Sequence, residues 1–538
     1  MQMRIGLLGR VIFMTAIAGL SASPQAAGNY QGLLAIWQEA QDLHMIPVLS
    51  GLPDYRPPMV SARKAALQGL QQRLKAIDPS DWSVPERADY LLVRARLDEM
   101  DFEHRVTRPW ARDPGTYHDL IRRIPYQETP IPADEVEAFR KRLQAVPRIL
   151  VQARANLTEG SAELARLVID RMERSDGVGQ GEPLRDPPPQ GTLGWFEDLL
   201  VRLKQHHPEL ATDAQRAASS AQAFRVWLRS NLGRMTAAAA IGHDHYDWYL
   251  KNVRLVPYTA ADLEVLGNRE IDRSQAFLQI ERNKNRLLPE LPPASGKEEY
   301  DRAVRRAEEQ IREVIRQQNL LTIPDQTPSQ FETDAFWIVR PGGKRHFWEE
   351  LQYRNPLNNH IHASIPGHRF DSWLQQRIFH PIRGSYRDGG RAEGWAFYIE
   401  EMFLQTGLLD DLPRVKELFY IAQLARAVRI PAELKMQSGQ MSLDEAVQFM
   451  VERVPFMEPD LARYDLEIYL RRPAYGQNYV TSKIQMEHLL ADRARQQGDK
   501  FKLGAFHDKF LSYGMIPISL IRWEMTGLED EVSAFWER

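Results

Sequence analysis

The segment Asn358-Asn359-His360-Ile361-His362-Ala363-Ser364-Ile365-Pro366-Gly367-His368 puts three histidines within nine positions, in a chain that has 14 in all. Imidazole nitrogens bind zinc and exchange protons near neutral pH, so this density points to chemistry. His362 and His368 are six residues apart. On a continuous helix that spacing would place them about 240° apart around the axis. They converge only if the backbone breaks between them, and Pro366-Gly367 supplies a break. His360 and His362 share a face only in an extended stretch. The plainer alternative is a polar turn carrying surface histidines.

A second segment, Arg391-Ala392-Glu393-Gly394-Trp395-Ala396-Phe397-Tyr398-Ile399-Glu400-Glu401-Met402, reads as a buried helix. Glu393 and Glu400 are seven apart, so they lie on one face, about 10 Å apart along the axis. That is too far for both to bind one ion. One carboxylate fits as a ligand and the other as the group that orients a histidine from behind. The apolar flanks of Glu393 argue that its charge has a partner, because a carboxylate in such surroundings is otherwise unfavourable. A third segment runs from Arg471 to Tyr479. Its cations and phenols suit a substrate carboxylate or a developing oxyanion, Tyr479 among them. Arg387, Arg471 and Arg472 are the candidates for a bidentate grip on a carboxylate. An ordinary aromatic packing turn is the alternative for this segment.

The elements that must position these residues read as helices. Ser83-Val84-Pro85-Glu86 is a capping-box start, followed by Leu91, Leu92, Ala95, Leu97 and Met100 at helical spacing. Segments 61–77, 135–170, 192–230 and 296–320 show the same amphipathic pattern. The best strand candidate is Phe336-Trp337-Ile338-Val339, ending at Pro341-Gly342-Gly343. The polar stretch 173–191 holds four glycines and four prolines and reads as a linker or exposed loop. The expected fold is mainly α, a large multi-helix arrangement with few short strands. A division near residue 240 is expected, with an N-terminal helical lobe over 28–240 and a C-terminal lobe over 241–538.

The chain has 538 residues, with 69 basic and 72 acidic side chains and a formal net charge of −3. That balance gives no electrostatic case for nucleic acid or an anionic membrane as partner. Cysteine is absent, which excludes disulfides, cysteine nucleophiles and thiolate zinc sites. Any zinc must be held by histidine and carboxylate. Arg4 and Arg10 precede the apolar run Val11–Leu20, and small residues follow to Ala26-Ala27. This reads as a signal peptide over 1–27, cleaved near Ser23 or Ala27. The run is too short to span a bilayer. Export to a periplasmic or secreted location follows, with no integral membrane segment in the mature chain.

Taken together and in order, these segments resemble the bacterial family known as domain of unknown function 885, whose members look like gluzincin-type zinc peptidases. The family pattern is His-Glu-x-x-Pro-Gly-His, then Glu-Gly-Trp-Ala-x-Tyr-x-Glu some 25 residues on. His362, Pro366-Gly367-His368, Glu393-Gly394-Trp395-Ala396, Tyr398 and Glu400 match it, and Gly514-Met515-Ile516-Pro517 also looks like a family segment. The resemblance implies a metallopeptidase-like fold, zinc as cofactor, and His362, His368 and Glu393 as its ligands. The chain departs from the pattern at Ala363, where the family has the glutamate that takes a proton from the attacking water. It departs again at Glu433 and Gln437, where many members carry Asp and His.

Three readings follow. In one, the metal site survives, Glu400 or Glu433 supplies the base, and the chain hydrolyses peptides or a related small amide. In another, the scaffold binds a peptide or partner in the old cleft without turnover. In the last, the site does different chemistry, with or without metal. A helical binding or scaffold protein without a cleft stays as a separate class, and it predicts that His362, His368 and Glu393 lie apart.

Overall fold

The computed structural model describes residues 29–49, 52–174, 183–331 and 337–537, and the expected signal peptide lies outside them. The fold is mainly α. Among the described residues the sole strands are Val48–Leu49 and Leu52–Pro53, a short antiparallel pair. The strand expected over 336–339 is not one. Phe336 is outside the described residues, and 337–339 form no ladder. Instead the Ile338 backbone N–H donates to the Tyr353 hydroxyl at 2.8 Å. A strand needs a neighbouring backbone edge, and here a side chain occupies the donor.

The helices begin where capping chemistry starts them. The Val84–Phe102 helix opens on Ser83, whose backbone N–H and hydroxyl both donate to Glu86, at 3.0 and 2.7 Å. Thr259 with Asp262, and Ser442 with Glu445, do the same for Ala260–Lys284 and Leu443–Arg453. Segment 135–170 divides into Val136–Asn156 and Ala162–Glu173. Helix Lys297–Gln318 lies within 296–320. No helix among the described residues is long and apolar enough to cross a membrane.

The apolar faces collect into one large core and smaller ones. The large core holds residues from Leu33 to Met100 together with residues from Leu255 to Phe535. A second core lies largely between Tyr117 and Met235. The first helices of the span 28–240 thus share a core with the helices of 241–538.

Gly389–Leu404 runs through the large core and is buried nearly all round, with Trp395, Phe397 and Ile399 fully covered. It lies against Asn478–Gln497 so closely that a Cβ on Gly394 would sit 2.3 Å from the Ser482 Cβ. Only a residue without a side chain permits this approach. The helix is therefore a fixed platform for Glu393 and Glu400.

Candidate metal centre

Three short elements bring the site together. Helix Leu357–Ala363 carries His362 at its end, helix His368–Gln375 begins with His368, and Gly389–Leu404 carries Glu393. The chain turns between the first two through Ser364-Ile365-Pro366-Gly367. At Gly367 a Cβ would lie 1.8 Å from the His362 carbonyl oxygen, so the tight return is open only to glycine. The indole N–H of Trp395 donates to the Pro366 carbonyl at 2.8 Å and fixes this turn to the platform helix.

The result is a triangle of donor atoms. His368 Nε2 is 3.2 Å from His362 Nε2 and 3.2 Å from Glu393 Oε2, and His362 Nε2 is 3.5 Å from the same oxygen. These three residues form the group among the described residues whose ligand atoms could hold a metal ion. Ligands about 2.0–2.1 Å from a tetrahedral zinc stand about 3.3 Å from one another. The triangle has that size, and its donor types are those of an open zinc site. The side chains of His362, Glu393 and His368 are 11%, 14% and 30% exposed, so His368 is the most accessible of the three. The convergence goes against the alternative in which these residues lie apart.

Charge and protonation agree with the geometry. Burial pushes the Glu393 carboxyl up, but His368 and His362 outweigh it and hold it well below its ordinary value. Burial pushes His368 down, and Glu393 overcomes this and raises it.

Glu400, two turns along the helix from Glu393, lies behind the triangle. Its Oε1 is 2.6 Å from His362 Nδ1, a contact that is attractive only with the proton on Nδ1. That leaves the Nε2 lone pair facing the other two donors. Asn358 Nδ2 donates to Glu400 Oε2 at 2.8 Å, and Arg426 lies 2.9 Å from Oε1 and 3.2 Å from Oε2. Burial pushes this carboxyl up, and Arg426, His362 and Asn358 together hold it below its ordinary value. Asn358 and Arg426 donate to it, and its close contact with Nδ1 places it to orient His362 from behind.

Further ties lock the helices to one another. Buried Arg391 on the platform helix pairs with buried Asp371 on the His368 helix, at 2.5 and 3.1 Å. Asp388 caps the platform helix by accepting from the Arg391 backbone N–H at 2.6 Å. The Met515 backbone then bridges the two, accepting from the Asp388 N–H at 2.9 Å and donating to the Gln375 side chain at 2.8 Å.

The other residues singled out in the sequence are distributed differently. His360 turns away and meets Glu308 at 2.8 Å, joining its helix to Lys297–Gln318. Glu433 is fully buried and accepts the backbone N–H groups of Tyr475 and Gln477, each at 3.1 Å. Burial pushes its carboxyl up to about 8, so it is protonated at neutral pH. Gln437 donates to the Tyr469 and Leu470 carbonyls at 2.8 and 3.0 Å and is a brace. Ala363 is buried and offers no proton acceptor.

Tyr479 stacks on the His362 ring, with centroids 6.5 Å apart, and burial and Glu393 raise its phenol well above the ordinary value. Arg429 lies 4.7 Å over the Tyr479 ring and pairs with Asp465 at 2.6 Å. Arg471 is engaged by Asp113 at 2.6 Å and Asp119 at 2.8 Å, which ties it to the N-terminal half. Arg472 is exposed. Arg387 is also exposed, and it donates to the carbonyls of Gly384 and Tyr386.

Sequence reasoning did not single out Asn358, Asp371, Arg426 or Arg429 for a role. The signal for Arg426 and Arg429 lay in Leu424-Ala425-Arg426-Ala427-Val428-Arg429-Ile430, where cations interrupt an apolar run and so need buried partners.

Two solved structures share this fold. One is described as "a putative lipoprotein of unknown function from Shewanella oneidensis", with a TM-score of 0.67 and 18% identity over 93% of this chain and 100% of that one. The other is described as "the putative lipoprotein from Colwellia psychrerythraea", with a TM-score of 0.65 and 16% identity over 91% of this chain and 98% of that one. No curated protein matches the chain. The family model described as "Bacterial protein of unknown function (DUF885)" matches residues 48–318 and 357–525, and by that match over most of its length the chain belongs to this family.

Proposed function

We propose that His362, His368 and Glu393 hold a zinc ion, and that the chain is an exported, metallopeptidase-like hydrolase of peptides or related amides with an altered proton relay. The observation that carries the reading is the triangle of two imidazole nitrogens and a carboxylate oxygen, with sides of 3.2, 3.2 and 3.5 Å. Export is supported by the apolar run Val11–Leu20 after Arg4 and Arg10, and by the description of the two structural neighbours as lipoproteins. Zinc bound there would polarise a substrate carbonyl and ease the loss of a proton from water.

The chain's own residues do the rest. Glu400, 2.6 Å from His362 Nδ1, favours the proton on that nitrogen, and Arg426 keeps Glu400 ionised. Tyr479 stays an O–H donor beside the triangle, with the Arg429 cation over its ring, and the two suit a developing oxyanion. The proton acceptor is the weak point. Ala363 supplies none, Glu400 is surrounded by donors, and Glu433 is held by the backbone of 475–477. Losing a general base lowers turnover by a factor of roughly a hundred to ten thousand. The same observations favour a second reading, a zinc-loaded cleft that binds peptide without turnover.

Metal analysis and a peptide-library digest of wild type and Ala363→Glu test the proposal. About one equivalent of zinc is expected, with slow cleavage abolished by chelation and faster cleavage in the variant. Cleavage by Ala363→Glu alone supports the binding reading. A protein that carries no metal, and behaves identically as His362→Ala, refutes both.

A further inference from the structure

Away from the triangle, a cavity of about 470 Å³ lies between the end of helix Ala260–Lys284 and helix Val415–Ala427. Four arginines line it, Arg282, Arg286, Arg354 and Arg414, against two acids, Glu290 and Glu417. Two of the cations are already balanced. Arg354 meets Glu350 at 2.9 Å, and Arg414 lies 3.3 Å from Glu417 and 3.5 Å from Glu290. The other two meet no carboxylate among the described residues, and Arg286 donates only to the Asn283 carbonyl, at 2.9 Å. The chain as a whole is slightly acidic, so this excess of positive charge is local.

Exposed apolar side chains adjoin these arginines. Arg414 donates to the carbonyls of Asn285, Leu288 and Pro289, which pins the loop after the first helix. On that loop Leu287 is 86% exposed and Leu288 43% exposed. Phe456, also lining the cavity, is 45% exposed and has a φ of +67°, a conformation that bulky residues rarely adopt. The Arg354 guanidinium sits 5.0 Å over its ring. Two guanidiniums without a carboxylate partner, next to exposed Leu287 and Leu288 in sequence and sharing the cavity lining with Phe456, match the chemistry of a phosphate group attached to acyl chains. Guanidinium binds phosphate in a bidentate fashion, and apolar side chains next to basic ones settle at the headgroup boundary.

We propose that this cavity binds the phosphate head group of an anionic phospholipid, with Leu287, Leu288 and Phe456 entering the interface. Co-sedimentation of the full chain with vesicles tests it, using pure phosphatidylcholine and an equimolar mixture with phosphatidylglycerol. Wild type is expected to partition onto the mixed vesicles only. Each arginine near such a surface contributes about 1 kcal/mol. Arg282→Gln with Arg286→Gln therefore lowers partitioning roughly thirtyfold. A control pair, Arg305→Gln with Arg306→Gln, lies outside the cavity lining and leaves it unchanged. Equal loss in the control pair, or no binding to the mixed vesicles, overturns the proposal. Calorimetric titration with inorganic pyrophosphate separates a soluble source: binding of pyrophosphate without vesicle binding also overturns the lipid assignment.

Discussion

Replacing Glu400 by glutamine keeps the shape of the side chain and removes its charge, at a place where every neighbour is a donor. Glu400 is fully buried and accepts from Asn358 and Arg426, with His362 Nδ1 at 2.6 Å. Glutamine has one acceptor oxygen, so its amide must turn an N–H toward His362, Asn358 or Arg426. Arg426, only 3% exposed, loses its carboxylate partner, and breaking a buried pair in this way costs about 3–5 kcal/mol. The His362 ring also loses the group that fixes its tautomer, which weakens metal affinity about ten- to a hundredfold. Urea unfolding in the presence of chelator reads the first effect. Competition against a chromophoric chelator reads the second. Because the Glu400 carboxyl is held below its ordinary value in the fold, its contribution is present above the unfolded pKa of about 4.3 and is lost as pH falls through the lowered one. Wild type and Glu400→Gln should therefore converge in stability under acid. If stability falls but zinc affinity stays within about twofold of wild type, Glu400 serves Arg426 alone and the orienting role is wrong.

Glu433 titrates with the opposite sign. Its carboxyl is pushed up to about 8, so stability is full below the unfolded value and falls as pH rises from about 4.3 to 8, by at most about 5 kcal/mol. Glu433→Gln should flatten that slope in urea unfolding across pH 4–9 (roughly the window of the two pKa values); an unchanged slope would refute the assignment. Gly394→Ala would force a Cβ against Ser482 and destabilise by about 3 kcal/mol, with a lowered thermal midpoint as the readout. Asp371→Asn leaves the fully buried Arg391 unpaired and costs about 3–5 kcal/mol. The double variant Asp371→Leu, Arg391→Met should be less destabilised than Asp371→Asn, and an equal or larger loss would show that the pair is more than a mutual neutralisation.

A net charge of −3 describes the chain as a whole, whereas Arg282, Arg286, Arg354 and Arg414 gather round one cavity. They come from sequence positions up to 132 residues apart, so no window of the chain displays the patch.

The sequence by itself determined the local features. Capping residues, the period of the apolar positions and the Pro366-Gly367 break follow from backbone chemistry within a few residues, and so the helical class was readable. The spacing of Glu393 and Glu400 along one helix face was readable for the same reason. The tertiary structure decided what depends on contacts between distant segments. It sent His360 to Glu308, gave Glu433 to the loop at 475–477, and engaged Arg471 with Asp113 and Asp119. It also supplied Arg426 to Glu400 and Asp371 to Arg391. Periodicity identifies a buried charge that needs a partner, but which partner reaches it is set by how the helices pack, as in the close approach of Gly394 to Ser482.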